Sequence, residues 1–153
     1  MKKLEHLIPP PLLMIATAVA MWAEARWQPA TPLPSAWRHL GAISFSAVAL
    51  IFGSSGIRAF LLAHTTINPV RIEEASRLVT SGIYRVTRDP MYVGLTAVLF
   101  AWAFWLGGVW SFLGPVAFAF FMQRFQILPE ERMLQSKFGR EYEIYRQQVR
   151  RWL

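Results

Sequence analysis

The sequence predicts an all-α fold: an integral membrane helical bundle of about four transmembrane helices that ends in a C-terminal helix pair. Three observations predict it. Hydrophobic residues make up 54% of the chain and charged residues only 16%, against about 25% charged in typical soluble domains. Charge is absent from the 18 residues between His39 and Arg58 and from the 34 residues 90–123, and a spanning helix needs about 20 apolar residues. The segments between and after these runs are polar and basic, as cytoplasmic segments are. At 153 residues the chain is read as one domain, with two N-terminal spans over 1–63 and a core over 64–153.

Lys2, Lys3, Glu5 and His6 give the chain a solvated start. Pro9, Pro10 and Pro11 interrupt the apolar run that follows. Proline suits the first turn of a helix and not its interior, so the first span is predicted from about Pro11 to Trp27. Trp22, Glu24, Arg26 and Trp27 then form an interfacial belt. A cleaved signal peptide is the competing reading, because Lys2 and Lys3 precede an apolar run and Ala18-Val19-Ala20 lies within it. The three prolines stand where such a peptide should be helical. Pro29, Pro32 and Pro34 mark a loop.

The second span is predicted from about Trp37 to Ala63. Its small-residue cluster, Gly53, Ser54, Ser55 and Gly56, is read as a surface that lets another helix approach, in preference to a ligand site. Residues 64–77 read as a cytoplasmic loop with one short amphipathic turn at 70–76. Gly107 and Gly108 divide the second uncharged run into a short helix over 91–106 and a fourth over 109–127, a tight antiparallel hairpin. Beyond Arg124 the tail is amphipathic. Leu134, Phe138, Tyr142, Tyr145 and Val149 recur at helical spacing, Gly139 splits the tail in two, and the expected position is on the lipid headgroups. Four spans place both termini, the 58–88 segment and the tail on the cytoplasmic side.

The formal net charge is +7. No nucleic-acid-reading motif accompanies it, and the basic residues flank apolar spans, so anionic membrane lipid is the expected partner. The chain has no cysteine, which excludes disulfides, thiolate metal sites and cysteine nucleophiles. His6, His39 and His64 lack the spacing of paired helical ligands, so no metal site is expected. Oligomeric state is left open.

One stretch, residues 78–94, stands between the apolar regions. Gly82, Pro90 and Gly94 punctuate it, Arg85 and Arg88 add cations, and Tyr84 and Tyr92 add amphipathic rings. Irregular basic backbone between membrane helices is costly unless it lines a polar cavity. The stretch therefore reads as the lining of a pocket for an anionic ligand that contains an aromatic group. Simpler readings stand beside this one: Leu78 and Val79 as packing, the tyrosines as interface anchors, the arginines as lipid-facing charge. After Pro129 come two carboxylates. Glu131 is expected to be solvated. Glu130, if the tail folds back on residues 78–94, faces Arg85, Arg88 and the two tyrosines, where it can accept hydrogen bonds from a ribose diol or an ammonium group.

The run Gly82-Ile83-Tyr84, then Arg88-Asp89-Pro90-Met91-Tyr92-Val93-Gly94, is followed by Pro129-Glu130-Glu131-Arg132-Met133-Leu134, Phe138-Gly139-Arg140-Glu141-Tyr142, Tyr145 and Val149-Arg150-Arg151. This pattern resembles the isoprenylcysteine carboxyl methyltransferase family, and in looser form the phospholipid methyltransferases, over about residues 65–151. Two separated motifs in order, with a helical hairpin between them, make the likeness specific. The resemblance implies a multi-pass membrane enzyme with a cytoplasmic cofactor pocket. It would transfer methyl from S-adenosylmethionine to a carboxylate, thiol or amine on a lipophilic substrate. It implies cofactor contacts at Ser76, Arg77, Leu78, Val79, Tyr84, Asp89, Pro90, Met91, Tyr92 and Glu130, with Asn68 in the entry loop. Arg124 is the candidate for holding an anionic acceptor. The family has His where this chain has Asp89, and Arg where it has Gln126. A non-enzymatic helix-packing protein and a membrane reductase are the alternatives; the latter lacks support from any dinucleotide-type glycine loop.

Overall fold

The computed structural model describes residues 8–27, 33–62 and 78–153. Asn68, Ser76 and Arg77, and the amphipathic turn expected at 70–76, lie outside these residues. Helix α1, Pro10–Trp27, opens with prolines in its first turn. Helix α2, Ser35–Leu62, contains the 25-residue segment Ser35–Ala59, long and apolar enough to cross a membrane. Helix α3, Pro90–Leu106, is apolar but shorter, at 17 residues. Among the described residues there is no strand, so the all-α expectation holds. Of the four expected spans, α2 meets the requirements of length and composition.

Helices α2 and α3 run antiparallel, and small residues set their distance. A Cβ added to Gly94 would lie 3.1 Å from the Gly53 backbone nitrogen. One added to Gly56 would lie 3.2 Å from Met91 Cγ. The Gly53–Gly56 cluster thus serves close helix packing, as read from the sequence. At the other end of the pair, Gly107 closes α3 in the left-handed conformation at φ 78°. Arg38, in the first turn of α2, donates from Nη2 to the Trp105 carbonyl at 2.5 Å. Leu33 N donates to the Gly107 carbonyl at 3.0 Å.

The fourth helix begins later than expected and runs further. A 3-10 turn, Trp110–Phe112, leads into α4, Leu113–Met122. A π turn, Gln123–Ile127, joins it directly to α5, Leu128–Phe138. Pro129 therefore does not end the helix. It falls in the first turn of α5 just after the π turn, where the backbone ladder already changes register. Met21, Leu99, Ala103, Phe118, Met122 and Ile127 form the core joining α1, α3 and α4.

Helix α6, Arg140–Gln148, follows Gly139. The predicted stripe does not rest on headgroups. Leu134, Phe138, Tyr142, Tyr145 and Val149 pack against Leu78, Val79, Ile83 and Tyr84 in a second core. The physical reason is hydrogen bonding: Tyr145 OH donates to the Tyr84 carbonyl at 2.7 Å, so the rings are buried without stranding a hydroxyl. The tail thereby folds back over the start of α3.

Candidate functional site

The site grows from the turn that starts α3. Gly82, at φ 62°, begins a 3-10 turn to Arg85. Thr87 is fully buried. Its hydroxyl donates to the Arg151 carbonyl at 2.7 Å and accepts from the Asp89 amide at 3.2 Å. Arg88 N donates to the Arg150 carbonyl at 2.9 Å. Pro90 occupies the first turn of α3, where a missing N–H costs nothing. Asp89 stands at the N-cap but makes no capping hydrogen bond. Its Oδ2 is buried and has no hydrogen-bond partner among the described residues.

Tyr92, one turn into α3, donates its hydroxyl to Glu130 Oε1 at 2.5 Å. Two motifs 38 residues apart in sequence thus meet directly. The next residue, Glu131, is buried, against the solvated position expected of it. Its Oε1 lies 2.9 Å from Arg88 Nη1. Arg151 grips it bidentately, Nε to Oε1 at 2.9 Å and Nη2 to Oε2 at 2.7 Å. Arg88 Nη1 also donates to Tyr142 OH at 3.3 Å. Neighbouring positions on a helix point about 100° apart, so Glu130 reaches α3 while Glu131 reaches the arginines.

Three carboxylates and two arginines share this small volume. Burial pushes the Asp89 carboxyl up to about 7, helped by Glu131 and opposed by Arg88 and Arg151. Burial also pushes Glu130 up to about 8, with Asp89 and Glu131 adding to the rise and the Tyr92 hydrogen bond opposing it. The Tyr84 phenol is raised by burial and then by Asp89. Among the described residues both arginines form their ion pairs with Glu131, and neither Asp89 nor Glu130 is ion-paired. The cluster is suited to a ligand that brings a positive charge and hydrogen-bond donors. These acceptor oxygens suit ammonium or hydroxyl groups, and the Asp89 oxygen left without a partner among the described residues is the observation that tests such a fit.

Of the residues singled out in the sequence, the structure brings together Tyr84, Asp89, Pro90, Tyr92 and Glu130 around the turn. Val79 is buried in the second core, with Leu78 packed against it. Met91 turns toward Gly56 of α2. Arg85 is exposed. Arg124 is exposed and sits over the Phe125 ring at 5.6 Å. Sequence reasoning missed Thr87, Glu131, Tyr142 and Arg151. Glu131, Tyr142 and Arg151 do stand in the C-terminal motif quoted above, which is the signal that could have found them. A groove of about 670 Å³ between α1 and α4, lined by Ala16, Ala20, Met21, Glu24, Ser111 and Gly114, lies at the opposite end of α3.

The family model described as phospholipid methyltransferase matches residues 37–141. A Haemophilus influenzae protein described as uncharacterized is 49% identical over 63 residues, 41% of this chain and 100% of its own. A probable protein-S-isoprenylcysteine O-methyltransferase of Oryza sativa subsp. indica is 35% identical over 92 residues, 56% of this chain and 44% of its own. Protein-S-isoprenylcysteine O-methyltransferase B of Arabidopsis thaliana is 29% identical over 127 residues, 76% of this chain and 61% of its own. The chain thus spans about half the length of the curated methyltransferases it matches. No solved structure matches it. The family match covers the α2–α3 pair, the Asp89 turn and the Glu130 helix together, and the chain belongs to the phospholipid methyltransferase family.

Proposed function

We propose that this chain is a single-domain, multi-pass membrane enzyme that transfers a methyl group from S-adenosylmethionine to a lipophilic substrate. The observation that carries the reading is the Tyr92–Glu130 hydrogen bond beside the buried Asp89 Oδ2, which has no hydrogen-bond partner among the described residues. When bound, the cofactor supplies a methyl group already activated on a positive sulfur. The protein's task is therefore alignment and exclusion of water, with no covalent enzyme intermediate.

Glu130, held in place by Tyr92, accepts hydrogen bonds from the cofactor's hydroxyl or ammonium groups. Asp89 takes up a positive charge. Tyr84 and Pro90 complete the wall with Leu78 and Val79 behind it, Met91 anchors the turn against Gly56 of α2, and Ser76, Arg77 and Asn68 belong to the entry loop. Arg124, at the π turn, holds an anionic acceptor such as a carboxylate. The acceptor arrives from the bilayer, guided by the exposed apolar surface of α2, where Ile43, Leu50, Ile51 and Leu61 face outward. In this reading α1, α3 and α4 cross the membrane with α2. The cofactor end, the start of α3 with the tail, faces the cytoplasm, where the basic residues meet anionic lipid.

Calorimetric titration of S-adenosylmethionine into the protein in detergent tests the reading. Saturable binding that is lost in Glu130→Ala is expected. Absence of binding to the intact chain, or unchanged binding in Glu130→Ala, overturns it. Incubation of a native lipid extract with labelled methyl donor, followed by mass spectrometry, identifies the acceptor.

A further inference from the structure

Val149 leaves α6 in extended backbone, and the residues after it return to the mouth of the candidate site. Their contacts fall on both halves of it. On one side the carbonyls of Arg150 and Arg151 accept from Arg88 N at 2.9 Å and Thr87 Oγ1 at 2.7 Å. These two bonds fix the turn that carries Asp89, and Thr87 passes the constraint on by accepting from the Asp89 amide at 3.2 Å. On the other side the Arg151 side chain holds Glu131, the neighbour of Glu130, through two hydrogen bonds. Trp152 Nε1 donates to Gln123 Oε1 at 3.0 Å, tying the segment to the π turn.

No hydrogen bond or ion pair of the segment reaches Asp89, Tyr92 or Glu130 themselves among the described residues. It acts instead on what holds them. Without it, Thr87 and the Arg88 amide lose their acceptors, and Glu131 keeps Arg88 alone. The Asp89 turn and the Glu130 helix are then joined by the Tyr92 hydrogen bond and the single Arg88–Glu131 ion pair. Two elements that must stand at a fixed separation to grip one small molecule gain that separation from a third.

We propose that residues 150–152 form a latch in which Arg151 is the main positioning residue. Closure of the latch and occupancy of the site between Asp89, Tyr92 and Glu130 are linked equilibria. The latch rests on the cofactor reading above. Linkage is reciprocal: if the closed latch strengthens binding, the bound ligand must hold the latch closed by the same factor. A part that served stability alone would not show this reciprocity.

The test uses the full chain in detergent and two readouts: calorimetric affinity for S-adenosylmethionine, and hydrogen exchange of the Arg88 amide, whose acceptor is the Arg150 carbonyl. Arg151→Ala should weaken binding roughly tenfold, within the usual range of coupling. Arg151→Lys should recover part of that loss. Arg150→Ala should bind as the wild type does, because only its main-chain oxygen is used. Trp152→Phe keeps the ring and removes the indole donor, and should weaken binding less than Arg151→Ala. Ligand should slow Arg88 exchange in the wild type, and by a smaller factor in Arg151→Ala. If the wild type binds and Arg151→Ala binds equally well, or if ligand leaves Arg88 exchange unchanged, the latch is wrong and the cofactor reading stands. If the wild type does not bind at all, the cofactor reading fails and the linkage fails with it.

Discussion

The α2–α3 pair and the turn–tail cluster are built by opposite physics. Glycines bring the backbones of α2 and α3 together, Gly94 against Gly53, with the rings of Phe45, Phe100 and Phe104 stacked at 5.1 and 5.6 Å further along. Apolar shape decides that interface. Around Glu131 the opposite holds: two arginines, three carboxylates and several tyrosines are buried together, and directional bonds decide it. The first region is a rigid rail that fixes where α3 begins. The second hangs on the end of that rail and can open without unmaking it. A membrane protein can in this way keep its site adjustable while its bundle stays fixed.

The comparison breaks most visibly at Gly94. Gly94→Leu drives a side chain into the Gly53 backbone, which cannot yield as a flexible side chain would. It should cost ~3 kcal/mol or more, read as loss of cooperative thermal unfolding in detergent. A near-normal melting curve would show that the rail tolerates separation and is not the fixed partner.

Glu131→Ala comes next. It leaves Arg88, only 9% exposed, without its carboxylate, and removing one member of a buried pair costs ~3 kcal/mol. Part of that is relieved because the Arg151 side chain is 25% exposed. The loss should appear as faster exchange around residues 84–89 with α2 and α3 unaffected. Uniform loss of protection across both regions would mean they unfold as one unit.

The effect of pH sharpens the contrast, because the close packing of α2 on α3 at Gly53, Gly56 and Gly94 involves no ionisable side chain. Asp89 and Glu130 hold their protons up to about 7 and about 8 in the folded chain, above ordinary carboxyl values near 4. The folded state thus keeps protons that the unfolded chain has released. The resulting stability is full below about pH 4 and is lost as pH rises through the folded values, with a slope on the order of 1 kcal/mol per pH unit for each proton. The melting temperature of the ligand-free protein should fall between pH 6 and 8, and the fall should be shallower in Asp89→Asn. Stability that rises with pH over this window contradicts the assignment.

The smallest effect is expected at Arg85, exposed although it belongs to the same motif. Arg85→Ala should change stability by less than ~0.5 kcal/mol and leave cofactor affinity intact. A large loss of affinity there would move the cation-rich side of the site to the outer face of the turn.

Much of the fold was legible before any coordinates. Proline placed the start of α1, the uncharged run placed α2, Gly107 placed the end of α3, and Gly139 separated α5 from α6. Helix boundaries follow from local backbone chemistry, which a sequence carries openly. The continuation of the fourth helix through Pro129 was not legible, because a π turn depends on what packs beside it. Within the site, Glu130 was expected to face Arg85, Arg88 and the two tyrosines once the tail folded back; it meets Tyr92, whereas Arg88 pairs with Glu131 and Arg85 is exposed. The burial of Glu131 was not expected: two adjacent glutamates look alike, and only their 100° separation around a helix axis tells them apart.

Composition and motif by themselves determined that this chain is helical and apolar and that it carries the residues of a methyltransferase family. Tertiary structure alone decided which charges are committed to each other and which remain for a ligand. The reason is that an arginine's partner is set by distance in space. Glu131 in α5 and Arg151 beyond the end of α6 are 20 residues apart and meet only because the chain folds back on itself.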